Sequence, residues 1–225
     1  MTEFLLIRHG ETDWNKALRF QGQMDVPLNA VGREQAQRLR QRVLQHLDEW
    51  QRTQRTPVHV VSSDLMRAHE TAAPVAEVLG HKTETLEGLR EQHFGLFEGL
   101  QVSEIKEQYP HHWQRWIQFD ADHAVPEAES TRDFYERVFH TFQSLAHRFA
   151  GEQVVVVTHG GVLDMLWRNA HALSLHGPRV CDIPNAGVNR LRHGPDGLSI
   201  LQWADTAHLH DLPAQPFYRQ THLQG

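Results

Sequence analysis

Hydrophobic and polar positions change period repeatedly along this chain. Residues 4–7 form a short apolar run that stops at Arg8-His9-Gly10. A second run covers 58–61, opened by Pro57 and broken by Ser62-Ser63. Four consecutive valines within 153–158 suit a strand buried on both faces. Shorter runs at 83–87, 188–192 and 198–203 predict three more strands, the last two joined through Gly194-Pro195-Asp196-Gly197. Between the runs the spacing becomes helical. Ala36, Leu39, Val43, Leu47 and Trp50 share one face, with the intervening arginines on the solvated side. Leu65, Ala68, Ala72, Val75, Ala76 and Leu79 share another, and Phe134, Val138, Phe142, Leu145 and Phe149 a third. Asn29 and Ser130 stand where N-caps belong, the latter with Asp133 three positions on. Gly80 and Gly151 stand where two of these helices end. Residues 102–119 predict a helix interrupted at Tyr109-Pro110. Its Trp113, Trp116 and Phe119 are expected mostly to pack, with one or two touching a pocket.

Strands alternating with helices predict an α/β fold: a doubly wound, mainly parallel sheet flanked by helices on both faces. No internal repeat is present, and 225 residues suffice for a single domain spanning 1–225. The polar stretch 53–56 reads as a loop, and 120–129 as an acidic one. The patternless tail, 206–225, is expected to be mobile.

Composition narrows the function classes. Apolar residues make up 40% of the chain, enough for a core, yet no run approaches a membrane span. Met1-Thr2-Glu3 lacks a basic, apolar leader, and the single Cys181 excludes an internal disulfide framework. The expected compartment is the cytoplasm. A net charge of −6 argues against nucleic acid as partner. It leaves an anionic small molecule open, because a few converging arginines overrule the average field locally. Of the 18 histidines, His208 and His210 in His208-Leu209-His210-Asp211 lack a further close metal ligand and read as exposed chain.

The chemistry gathers at strand ends. Open α/β sheets keep their ligand crevice at the carboxyl ends of the strands. His9 there can serve as a nucleophile, and Arg8 beside it can grip an anion. The run 153–158 ends likewise at His159, and Gly160-Gly161 lets the chain turn into a helix whose first N–H groups face an anion. Arg67 falls near the start of the helix after the second strand and can face the same crevice, or else pair with Glu70 or Glu77. Glu91 and Glu98 are rival carboxylates for acid–base work. Asn15, Arg19, Gln21 and Gly22 lie in the loop after His9, where binding groups collect.

Four stretches together, Leu5-Leu6-Ile7-Arg8-His9-Gly10-Glu11-Thr12, Ser62-Ser63-Asp64-Leu65-Met66-Arg67-Ala68, Leu89-Arg90-Glu91 and Val157-Thr158-His159-Gly160-Gly161, resemble the histidine phosphatase superfamily, also called phosphoglycerate mutase-like. The likeness runs from about residue 4 to residue 191. It implies a phosphohistidine on His9, phosphate held by Arg8, Arg67 and His159, and Glu91 as general acid and base. Glu98 would then sit in a structural turn, and Asn15 and Gln21, the latter before Gly22, would donate to phosphate. The implied substrate is a small phosphorylated metabolite, with neither metal nor cofactor; a homodimer is compatible with it. The insert 100–128 carries Lys106 and Arg115 against Glu104, Glu107, Asp120, Asp122 and Glu127, a poor balance for retaining a second phosphate. This favours a phosphomonoesterase over a cofactor-dependent phosphoglycerate mutase and marks 100–128 as a lid-like insert. Ala128-Glu129-Ser130 departs from the Gly-Glu-Ser frequent in phosphatase members. Two other classes remain: a non-catalytic phospholigand-binding module, and a metal hydrolase on His9, His159 and Glu91, for which no ligand-spacing motif exists.

Overall fold

The computed structural model describes residues 1–51 and 58–213, apart from the side chains of 49–51. The expectations for Trp50, the 53–56 loop, Pro57 and the tail from 214 onward lie outside the described residues. In chain order the elements are β1 (Thr2–Arg8), α1 (Asp13–Lys16), α2 (Ala30–Gln51), β2 (Val58–Ser62), α3 (Met66–Leu79) and β3 (Thr83–Thr85). They continue with α4 (Val102–Gln108), α5 (Pro110–Trp116), α6 (Thr131–Arg148), β4 (Gln153–Thr158), α7 (Gly160–Ala170), β5 (Val188–Gly194) and β6 (Gly197–Asp205). The strands form one sheet in the order β3-β2-β4-β1-β5-β6. The first four run parallel, and β5 and β6 extend the sheet as an antiparallel hairpin beside β1.

Alternation within the buried strands decides which helices cover which face. Phe4, Leu6, Val154 and Val156 face α6 and α7 through Phe134, Phe142 and Leu163. Leu5, Ile7, Val155 and Val157 face α2 and α3 through Leu39, Val43, Ala72 and Val75. Both faces are thus occupied, which is why β4 is apolar throughout. The expected caps form: Asn29 Oδ1 accepts from Gly32 N at 2.8 Å, and Ser130 Oγ from Asp133 N at 3.0 Å. Gly80 ends α3 in the left-handed region, φ 68°.

Three boundaries differ from expectation. The third strand stops at Thr85, because Glu87–Leu89 winds into a 3-10 turn. The helical stretch expected over 102–119 breaks at Tyr109-Pro110 as expected, into the short helices α4 and α5, but ends at Trp116. They pack on a satellite cluster of Phe97, Ile105, Trp113 and Val125. The segment after Asp205 is not exposed chain at its start: a 3-10 turn, Ala207–Leu209, buries Leu209 against the α2–α3 core, and His208 is half-buried. Among the described residues, no helix is long and apolar enough to cross a membrane.

Candidate active site

The sheet brings the two strand-end histidines together. β1 and β4 are adjacent and parallel with Arg8 opposite Thr158, and His9 N donates to Thr158 O at 2.9 Å. The next residues along each strand, His9 and His159, therefore leave the sheet side by side, with ring centroids 5.2 Å apart. They are 2% and 0% exposed. His9 Nδ1 lies 2.7 Å from Gly10 O, so this nitrogen carries the proton and donates. Its Nε2 lone pair is left for chemistry. The loop under His9 is clamped: Asn185 Nδ2 donates to His9 O at 3.0 Å, Ala186 N to Arg8 O at 3.0 Å, and Gly10 N to Thr71 Oγ1 at 2.9 Å.

The guanidinium groups arrive from separate elements. Arg8 Nη1 donates to Ile183 O at 2.6 Å. Arg67, on the first turn of α3, is 1% exposed. It donates from Nη1 to Met24 O at 2.8 Å and from Nη2 to Gly22 O at 2.7 Å, ordering the loop after His9. It pairs with neither rival from the sequence: Glu70 accepts from Leu28 N, and Glu77 from Arg40. Burial lowers both arginines to about 10, which leaves them charged at neutral pH. Gly22 has φ 50°, and a Cβ there would overlap the Glu98 carboxylate. Glu98 holds this loop, accepting from Gln23 N and Phe94 N, each at 2.9 Å.

Asn15 Oδ1 accepts from Thr12 N, Thr12 Oγ1 and Asn185 Nδ2 at 3.1, 3.1 and 3.3 Å. With the oxygen so occupied, the amide Nδ2 is the group left to donate. The single Thr12 hydroxyl proton is shared between Asn15 Oδ1 and Gln21 Oε1, the latter at 3.0 Å, which likewise leaves the Gln21 amide as donor. Glu91 accepts from Gln92 N at 2.9 Å and from Gly161 N at 3.0 Å. A Cβ on Gly161 would overlap Glu91 Oε1. The glycine pair was expected to permit a tight turn. Neither glycine lies in the left-handed region, and at 161 the requirement is close approach of a carboxylate. Arg8, His9, Asn15, Gln21, Arg67 and Glu91 all line one cleft of about 990 Å³. Gly160 lies behind two of its lining residues: an added Cβ would be 3.4 Å from both Arg8 Nε and Arg179 Nη1.

Electrostatics fix the protonation of the imidazoles. Burial, then Arg67 and Arg8, push His9 well below its usual value. Burial, then Arg67, His9 and Arg8, do the same to His159. The direction of the shift favours the neutral imidazole for His159 in the ligand-free protein. Imidazole 15N shifts of the ligand-free protein are expected to show both rings neutral from pH 7.5 through 6. Burial also lowers His208, to about 4. The unfolded chain takes up protons near pH 6.5 that these buried rings refuse, so folding stability falls as pH drops below about 6.5. Rings that titrate near 6.5 would contradict this electrostatic picture.

Sequence reasoning missed Thr71, Asn185 and Arg179. Among the described residues, one group gathers three potential metal ligands: Asp120 and Asp122 of the insert with His176. There Arg115 and Arg132 already pair with the two carboxylates. The donor atoms of His9, His159 and Glu91 do not converge within 4.8 Å of one another, which disfavours a metal hydrolase on that trio.

The pattern of the histidine phosphatase superfamily (branch 1) matches residues 4–206. "Phosphoglycerate mutase-like protein 4" of Arabidopsis thaliana is 38% identical over 93% of this chain and 87% of its own. "Metal-independent phosphoserine phosphatase" of the same plant is 34% identical over 93% and 84%. The solved structure of Bacillus stearothermophilus YhfR superposes with a TM-score of 0.80 at 29% identity, over 93% of this chain and 100% of that one. A match across nearly the whole sequence, on the fold and strand-end histidines described above, makes this chain a member of the histidine phosphatase superfamily, an enzyme acting on phosphate esters.

Proposed function

We propose that the protein is a phosphomonoesterase of small phosphorylated metabolites working through a phosphohistidine on His9. The observation that carries this is the His9 ring: Nδ1 tied to Gly10 O, held neutral by burial and by Arg67 and Arg8. A fixed tautomer keeps Nε2 unprotonated at working pH and aimed into the cleft. Nε2 attacks phosphorus in line with the ester oxygen, the N–P bond forms and the P–O bond breaks. Charge spread over the equatorial oxygens is met by Arg8, Arg67 and the neutral His159 donor. Asn15, Gln21 and the Gly160 end of α7 add further N–H groups. Glu91 delivers a proton to the departing alkoxide. It then removes one from the water that attacks phosphohistidine, and inorganic phosphate leaves with His9 restored.

Hydrolysis is favoured over mutase chemistry by the insert. Arg115 pairs with Asp120 at 3.1 Å, Arg132 donates to Asp122 Oδ1 at 2.5 Å, and Lys106 lies over Trp113 at 5.7 Å. These cations are engaged locally, so the lid-like insert offers poor means to retain a doubly phosphorylated intermediate. The test is a panel of phosphoserine, phosphoglycerates, sugar phosphates and nucleotides, assayed in chelator for phosphate release, with acid-labile label trapped on the protein. Release with trapped label is expected. Label exchange between phosphoglycerate positions without net release would establish the mutase, phosphate binding without turnover a silent module, and loss of activity on chelation a metal requirement.

A further inference from the structure

We infer that Arg137 is a positioning residue for the reaction: it braces the segment carrying Glu91 so that the carboxyl meets the departing oxygen. This rests on Glu91 being the proton donor proposed above.

Arg137 lies on α6, outside the cleft walls, and its guanidinium is almost fully committed. One edge forms a planar fork with Glu129, Nε to Oε1 and Nη2 to Oε2, both at 2.8 Å. The other edge gathers backbone carbonyls: Nη1 donates to Gly88 O at 3.1 Å and Arg90 O at 3.0 Å, and Nη2 to Glu91 O at 3.1 Å. Glu129 completes the frame. Its Oε2 accepts from His93 N at 2.9 Å, its N donates to His93 O at 3.0 Å, and its O accepts from Gln92 Nε2 at 3.1 Å. Glu91 is therefore suspended between two anchored points, residues 88–90 on one side and 92–93 on the other.

The need for such a frame follows from local structure. Residues 90–94 belong to neither helix nor strand, so no regular ladder fixes the height of Glu91. A proton donor displaced by about 1 Å costs on the order of 10²-fold in rate. Only a rigid fork can satisfy a carboxylate and three carbonyls at once; an ammonium on a flexible stem cannot. Ala128-Glu129-Ser130 thereby gains a purpose that requires no contact with substrate.

The test exploits the dependence of general-acid catalysis on the leaving group. The p-nitrophenolate of p-nitrophenyl phosphate departs without a proton, whereas the alkoxide of phosphoserine or glycerol phosphate needs one. Because Glu91 also serves the hydrolysis of phosphohistidine common to both esters, the readout is the single-turnover rate of label transfer to His9. Glu91→Gln, the reference, should lose far more of that rate on the alkyl esters than on the aryl ester. Arg137→Met is expected to show the same selectivity: label transfer from the alkyl ester slower by on the order of 10²-fold, from the aryl ester by less than about tenfold. KM should change little. Glu129→Gln, which weakens the fork while leaving Arg137 in place, should show the same pattern more weakly and covers the case of an unstable Arg137 variant. Equal losses on both esters in Arg137→Met, or in Glu129→Gln where Arg137→Met fails to fold, would make the brace merely structural and overturn the inference with Glu91 intact. Equal losses in Glu91→Gln itself would remove Glu91 as proton donor, and the brace with it.

Discussion

His9→Ala lowers turnover of every phosphate ester by on the order of 10⁶-fold, the scale of losing a covalent nucleophile in serine hydrolases. No neighbour can substitute. His159, 5.2 Å away centroid to centroid, is 0% exposed, and among the described residues no backbone carbonyl fixes its tautomer as Gly10 O fixes that of His9. The clamp beneath His9 is made by backbone atoms of residues 8–10 with Thr71, Asn185 and Ala186, so removing the imidazole leaves the loop anchored. A folded His9→Ala protein that still binds inorganic phosphate but yields no acid-labile label is the expected result. Residual turnover within tenfold of the parent would show that the covalent step belongs elsewhere.

Arg67→Met lowers kcat by about 10³–10⁵, the range attributed to an arginine that neutralises charge on a transferring phosphoryl group. Two consequences coincide. The charge beside the equatorial oxygens disappears, and the carbonyls of Gly22 and Met24 lose their donor, loosening the loop that presents Gln21. KM should therefore rise along with the fall in kcat. Arg67→Lys restores a charge without the fork and should recover only part of either effect. A thermal melt separates loss of chemistry from loss of fold. If a folded Arg67→Met protein retained parental kcat, the phosphate grip would have to lie with Arg8 alone.

Why some of this was visible in the sequence and some was not follows from chain separation. β1 and β4 announce themselves as apolar runs, and each ends in a histidine, so the only unknown was whether they are neighbours. Their adjacency, read from the pairing of Arg8 with Thr158, supplies it. Arg67 is similar: its place on the first turn of the helix that follows β2 fixes its height above the sheet. Arg137 and Glu129 gave no comparable signal. An arginine on an amphipathic helix looks solvated unless the segment across from it is known, and residues 88–93 are brought there only by tertiary packing. The neutral state of His159 was equally invisible, because it arises from burial beside Arg67, His9 and Arg8, which come from different parts of the chain. The antiparallel hairpin was legible as two strands and a turn, but its place beside β1 was not.

One property of the sheet reaches beyond this chemistry. Because the paired imidazoles emerge from hydrogen-bonded neighbours, their separation is dictated by main-chain geometry, independent of the surrounding side-chain sequence. The insert, by contrast, folds around its own aromatic cluster, and its Val102 and Trp116 line the cleft. Exchange of segment 100–128 between relatives is therefore expected to alter ester preference while the spacing of the two imidazoles stays constant.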